Sequence, residues 1–303
     1  MTELTQVPKA NQPRSLAAQT LFASSTPLRL LRECSESNGV EVYGKLEIYN
    51  PTGSHKDRES EEIIRYALAN DHRRLAIAST GNAAISLAFY SYVYALECHV
   101  FISKGIEPER LAHIQAYHPI LHMIDGNYEK AVTGCHEYSQ SEGCLNCNPG
   151  VRHEKVIGDS RIGFELGHEL KMDYVACPTN NGTLIAGIWT GLRESGLNPR
   201  MVAAVTRKST LAASIAGFHR LEEPALSKCI EESEGMIVDI DDGEIAEATR
   251  LLLKDGLIVE GAAAASVASV KHLHLSRDSR ICCIITGNGM KFPQVLRQLL
   301  RSS

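Results

Sequence analysis

Residues Asn50–Glu59 read NPTGSHKDRE, a tight polar turn that runs straight into a helix-forming stretch, RESEEIIRYALAN. Asn-Pro-Thr-Gly-Ser is turn chemistry, and Asp57, directly after Lys56, suits the positive end of the helix that follows. Lys56 therefore stands at the mouth of a rigid element and is a candidate Schiff-base former. A lysine in a helix is more commonly a solvated surface residue. The segments around this one tilt the balance toward chemistry.

Outward from this turn, short apolar runs alternate with helical periods. LAIAS, CHVFIS, ILHMID, YVACP, MVAAV, MIVDI and RICCIIT read as strands, and the alternating run VEVYGKLEIYN adds strand character before the lysine turn. That alternation predicts an α/β protein with mostly parallel sheets and helices on both faces. No internal repeat or flexible linker interrupts it. A seam is expected near Asn148–Gly150, and a polar leader of about twenty residues precedes STPLRLL.

Two strand-to-helix junctions stand out. Ser79–Asn82 (STGN) lies between LAIA and AAISLAFYSYVYALE, and Pro178–Thr183 (PTNNGT) lies between YVAC and LIAGIWTGL. In the second, small polar residues aim backbone N–H groups and a helix dipole at one point, the arrangement that holds a phosphate. Asn180 and Asn181 stand before Gly182, and asparagine accepts left-handed backbone better than most residues. The plain alternative is a strand-to-helix turn with no ligand.

NPTGSHKDR resembles the lysine motif NPTGSFKDR of pyridoxal-phosphate enzymes of the tryptophan synthase β-chain fold, and within them the threonine synthase branch; His55 replaces the phenylalanine. PTNNGT resembles the family's phosphate cup, ITGNGMKFP its ending TGHGLKDP, and VEGAAAAS its VEPASAAS. Together these segments reach from Thr26 to Pro293. The resemblance implies two three-layer α/β/α domains, one spanning 35–149 and a larger one built from 1–34 and 150–303, with pyridoxal 5'-phosphate in the cleft between them. It implies that Lys56 anchors the cofactor and moves the α proton of the substrate, and that Asn82 reaches the cofactor's phenolic oxygen. Asn180, Asn181, Gly182 and Thr183 would hold the phosphate, and Thr286 would meet the pyridine nitrogen. A neutral hydroxyl there favours elimination over transamination. Ser79, Thr80, Gly81 and Asn82 would bind the substrate carboxylate. Glu260 would border the cofactor, or else be a simple helix N-terminal acid.

The chain departs from the family at NPGVRHEKVIGDSRIGF, where threonine synthases carry a segment resembling NPxRxEGQKT that recognises a phosphorylated substrate. Asn148 and Arg152 are the surviving candidates for that site. His55 is either a tolerated aromatic-like replacement or a group that tunes protonation beside Lys56. Asn288 and Phe292 stand where the family has histidine and aspartate.

The 303 residues suffice for two ordinary domains, and 44% apolar with 22% charged residues is the composition of a folded protein. A net charge of −5 without a dense basic block speaks against a nucleic-acid partner. No secretory signal or membrane-length apolar window is present, so a cytoplasmic protein without a membrane partner is expected. Nine scattered cysteines read as reduced thiols, and the CLNC pair lacks the second half of a zinc site, so no metal is expected. The function expected is β/γ-elimination or replacement on a small amino acid with a leaving group. A β-replacement synthase using phosphoserine or acylserine and a serine/threonine dehydratase are the alternatives, with a non-enzymatic regulatory partner as a different class. A homodimer is expected.

Overall fold

The computed structural model describes residues 25–217 and 223–291. The leader of about twenty residues, Phe292 and Pro293 lie outside the described residues. In chain order the first elements are β1 (Leu28–Leu30), α1 (Arg32–Asn38), β2 (Glu41–Lys45), α2 (Lys56–Ala69), β3 (Arg74–Ala78), α3 (Asn82–Val93) and β4 (Glu97–Ser103). Then come α4 (Pro108–Gln115), β5 (Ile120–Ile124), α5 (Tyr128–Glu142), β6 (Leu145–Asn146), α6 (Glu154–Glu169) and β7 (Tyr174–Pro178). The last are α7 (Thr183–Glu194), β8 (Arg200–Val205), α8 (Glu223–Glu232), β9 (Met236–Asp239), α9 (Asp242–Lys254), α10 (Gly261–Ala268) and β10 (Arg280–Ile284).

Two sheets result, one ordered β1-β2-β10-β7-β8-β9 and one ordered β5-β4-β3-β6. Every pairing is parallel except β1 with β2. Near-continuous apolar strands such as RICCI suit a sheet covered on both faces. Helices α1, α9 and α10 pack on one side of the larger sheet and α6 and α7 on the other; α2 and α3 cover one side of the smaller sheet and α5 the other. This is the α/β architecture expected from the alternation of strands and helices. β2 lies within the segment 35–149 and pairs in the larger sheet, against β10.

One local expectation is corrected. The run VEVYGKLEIYN is strand only through Lys45; Glu47–Tyr49 is a 3-10 helix. The reason is Glu47, fully buried as a partner for Arg58, a position that an alternating strand would not give it. β6 went unread because two residues of CLNC are too few to show a period. All nine cysteines are buried and free, Cys144 and Cys147 included. Among the described residues no helix is long and apolar enough to cross a membrane.

Helix α6 is wedged between α2 and α7 by backbone-to-backbone approach. A Cβ added at Gly163 would lie 1.9 Å from the Ile188 carbonyl oxygen, at Gly191 1.9 Å from that of Ser160, and at Gly158 2.3 Å from that of Arg58. Gly163→Ala is therefore expected to lower stability by about 1–3 kcal/mol, read as a fall in the urea midpoint. Gly134→Ala, in α5, meets the end of the Ile124 side chain at 3.5 Å and the Phe101 ring at 3.9 Å, both ordinary contacts. It is expected to be neutral or to gain roughly 0.5–1 kcal/mol.

Candidate functional site

The carboxyl ends of parallel strands are where open α/β sheets place ligands, and here both sheets deliver loops to one region. Lys56 is the first residue of α2, and the turn before it is built from within. Asp57 accepts from the Thr52 backbone and hydroxyl, both at 2.6 Å, while Gly53 takes a φ of 79° that favours glycine. The loop after β10 is clasped against this turn. His55 N donates to the Thr286 carbonyl at 3.0 Å, Asn288 N donates to the Gly53 carbonyl at 3.0 Å, and Ser54 bridges to Gly287. From the other side Glu260 N donates to the Gly287 carbonyl at 3.0 Å. A Cβ at Gly287 would sit 2.8 Å from the Glu260 carboxylate, so glycine there makes room for the acid.

The STGN loop joins the same cluster. Asn82 Nδ2 donates to both Glu260 oxygens at 2.9 and 3.1 Å, and Lys291 Nζ donates to Asn82 Oδ1. Lys291 also donates to the carbonyls of Thr52 and Gly53, each at 3.1 Å. Burial raises the Glu260 pKa against the pull of Lys291, and burial lowers that of Lys291. Ser79 and Thr80 are half-buried, and Ser79 Oγ accepts from Gly81 N at 3.2 Å.

Asn180–Thr183 opens α7 as expected. Gly182 has a φ of 85°, no side chain caps the helix, and Asn181 Oδ1 accepts from Thr183 N at 3.2 Å. Asn180 Nδ2 donates to the Ser214 carbonyl at 3.2 Å. The Thr183 hydroxyl is buried and has no hydrogen-bond partner among the described residues. An orphaned hydroxyl at an uncapped helix N-terminus fits a phosphate group, and Lys56 at the head of its helix fits an aldehyde-bearing cofactor.

Asn148 lies against the strand end that leads into the STGN loop, whereas Arg152 is placed elsewhere. Asn148 is buried, with Oδ1 accepting from Ala78 N at 2.8 Å at the end of β3. Arg152 is paired with Glu154 and lies 4.2 Å over the Tyr66 ring, near the far end of α2 from Lys56. One cavity of about 390 Å³, bordered by Tyr174 and Arg200, opens at the amino ends of β7 and β8, opposite this region.

The structure adds charged groups that the sequence did not single out. Lys56 Nζ donates to Glu59 Oε1, and Lys155 Nζ stands 3.5 Å from Glu59 Oε2. Burial disfavours charge on Lys56, but Glu59 and Asp159 outweigh it and the net direction is upward. Burial also opposes charge on Glu59, and Lys56 with Lys155 overcomes it, bringing the carboxyl down to about 2. Arg110, from α4, faces Gly81 and acts on Glu260. Lys291 lies within the quoted motif ITGNGMKFP, between Asn288 and Phe292, and was given no role there. For Arg110 no signal separated it from any surface arginine.

A family model described as "Pyridoxal-phosphate dependent enzyme" matches residues 20–287. A threonine synthase of Bacillus sp. (strain ULM1) is 30% identical, over 91% of this chain and 86% of that protein. One from Halalkalibacterium halodurans is 31% identical, over 90% and 84%. Among solved structures, maize serine racemase superposes with a TM-score of 0.82 at 17% identity, covering 97% of this chain and 98% of that one. At that identity the likeness speaks for the fold, the fold type II architecture of such enzymes.

His55 supplies a pH signature. Burial first, then Lys56, push its pKa from the ordinary 6.5 to about 3. As pH falls below 6.5 the unfolded chain takes up a proton that the folded ring refuses, so this contribution to stability is full above 6.5 and lost toward 3. His55→Phe is expected to flatten the decline of the urea midpoint across that window.

Proposed function

The chain belongs to the pyridoxal-phosphate dependent enzyme family, and from that premise we propose that it eliminates or replaces a leaving group on the β or γ carbon of a small amino acid, as a threonine synthase-like enzyme. The observation that carries this reading is the convergence on Lys56 of the turns bearing Thr286, Glu260 and Asn82. The bound cofactor supplies an electron sink that makes the substrate's α proton acidic. The protein's own groups do the rest. Lys56 holds the cofactor and later carries the α proton at Nζ. Thr286 would offer a neutral hydroxyl to the cofactor's ring nitrogen, and Asn82 would be the residue that meets its phenolic oxygen. Asn180, Asn181, Gly182 and Thr183 hold the phosphate; Ser79, Thr80 and Gly81 take the substrate carboxylate. His55 keeps a neutral ring beside the lysine.

The resemblance to the threonine synthase branch, with relatives of that name about 30% identical, is what favours a phosphorylated amino acid as substrate. A second reading, β-replacement on an acylated serine, is favoured by the engagement of Arg152 with Glu154 and Tyr66 and by the carboxylate of Glu59 beside Lys56. We carry two further parts in the same proposal. The chain would divide into a smaller unit spanning 35–149 and a larger one built from 1–34 and 150–303, with β2 of the smaller span pairing into the larger sheet. The protein would be a homodimer of the cytoplasm, in keeping with nine free thiols.

Purified protein incubated with pyridoxal phosphate and reduced with borohydride is expected to carry the label on Lys56. Lys56→Ala is expected to lose both label and turnover, and a fully active Lys56→Ala protein would sink the mechanism. Phosphohomoserine, phosphoserine and acetylserine, offered in turn, separate the two substrates by which one perturbs the visible spectrum. Thr183→Val is expected to weaken cofactor binding by about tenfold, equivalent to roughly 1.4 kcal/mol, in an absorbance titration, with the urea midpoint little changed.

A further inference from the structure

Beside Lys56 the protein buries a second lysine and two carboxyl groups, more charge than an anchoring lysine requires. Glu59, one turn along α2, is 2% exposed and is shared between Lys56 Nζ and Lys155 Nζ, the latter at 3.5 Å; His55 Nε2 stands 3.9 Å from Oε1. Lys155 comes from the first turn of α6 and is 3% exposed. Asp159, one turn further, is fully buried, and neither of its oxygens has a hydrogen-bond partner among the described residues. Ligand atoms of His55, Glu59 and Asp159 lie within 4.8 Å of one another. The ammonium groups of Lys56 and Lys155 bring positive charge against them.

We propose that Glu59 is a positioning residue that holds the proton of Lys56, and that Lys155 limits that hold by sharing the same carboxylate. The proposal rests on the reading of Lys56 as the cofactor lysine. When Nζ is free of the cofactor, Glu59 keeps it as ammonium, an acid able to return a proton to substrate. To act as a nucleophile, Nζ passes one proton to the Glu59 carboxylate, leaving a neutral amine and a carboxylic acid, with no other reactant. Lys155 favours that amine by repelling a proton on Nζ, and opposes the acid by stabilising the carboxylate. The groups facing Lys56 are His55 from the turn before α2, Glu59 from α2, Lys155 and Asp159 from α6, and Tyr128 from the start of α5. Burial, with Glu59 close by, pushes Asp159 well above the carboxylate range. Lys291 acts on the same cluster through His55.

Competitive labelling of cofactor-free protein with acetic anhydride across a pH series, read on the Lys56 peptide by mass spectrometry, gives the midpoint at which its amine becomes reactive. Glu59→Gln is expected to lower that midpoint by about one unit or more, a tenfold rise in free amine at fixed pH. Lys155→Met is expected to move it the opposite way. An unmoved midpoint in Glu59→Gln, or two shifts of the same sign, overturns the proposal, since a purely structural role gives no opposed pair. If Glu59→Gln does not fold, the sign of the Lys155→Met shift decides. Borohydride trapping of pyridoxal phosphate in the unaltered protein separates the two levels. An adduct on Lys56 with unmoved midpoints overturns only the pairing with Glu59. No adduct on Lys56 overturns the cofactor reading, and with it the role given to Glu59.

Discussion

The guanidinium of Arg58, with no solvent exposure, is the interaction on which the site's geometry depends. It meets Glu47 at 3.1 Å and Glu165 at 2.6 Å, and Lys45 joins the same network through Glu165 and Glu169 at 2.9 and 2.7 Å. Two basic and three acidic groups thus tie the first turn of α2 to the end of β2 and to the last turns of α6. Burying such a set is not in itself stabilising, because desolvation offsets much of the attraction. Losing one partner, however, costs about 3–5 kcal/mol, since a charge is then stranded. The network therefore enforces one arrangement of α2 and α6, and Lys56 lies two residues from its centre.

From that anchor the rest of the site follows by short links. The turn ahead of Lys56 is closed by Asp57 on Thr52, the β10 loop is hydrogen-bonded to the turn, and Glu260 and Asn82 are joined to the β10 loop. Elements from both sheets are thereby fixed to one another mainly by backbone contacts and buried polar groups. Such contacts hold side chains to the fraction of an ångström that a reaction centre needs. Lys291 completes the join by bonding the lysine turn and Asn82 together.

Much of this was legible in the sequence because it is local. NPTGSHKDRE encodes its own turn and helix start, and runs such as LAIA and RICCI declare buried parallel strands by composition. The STGN and PTNNGT junctions follow from small polar residues between a strand and a helix. What escaped is non-local. Glu47 folds away from the strand pattern to reach Arg58, eleven residues on. Glu59 and Lys155 become partners only because α6 packs against α2, and a lone glutamate or lysine in a helix gives no sign of burial. Gly158 was the available signal, since its missing side chain admits the Arg58 carbonyl. Arg152 shows the complementary limit: its pairing with Glu154 and its stacking on Tyr66 are invisible in sequence.

The glycine seams of α6 make that helix behave like a key cut on two edges. Gly158 fits the backbone of α2, and Gly163, with Gly187 and Gly191 opposite, fits that of α7. Sliding α6 by a single residue would bring side chains onto both edges at once, so its register is locked. Length changes between Asn148 and the helix must then be absorbed ahead of Glu154, which is where this chain is longer than the related motif. The charges that α6 carries toward Lys56 are consequently insulated from loop drift: the loop is free to diverge in length while the lysine's neighbours stay in place.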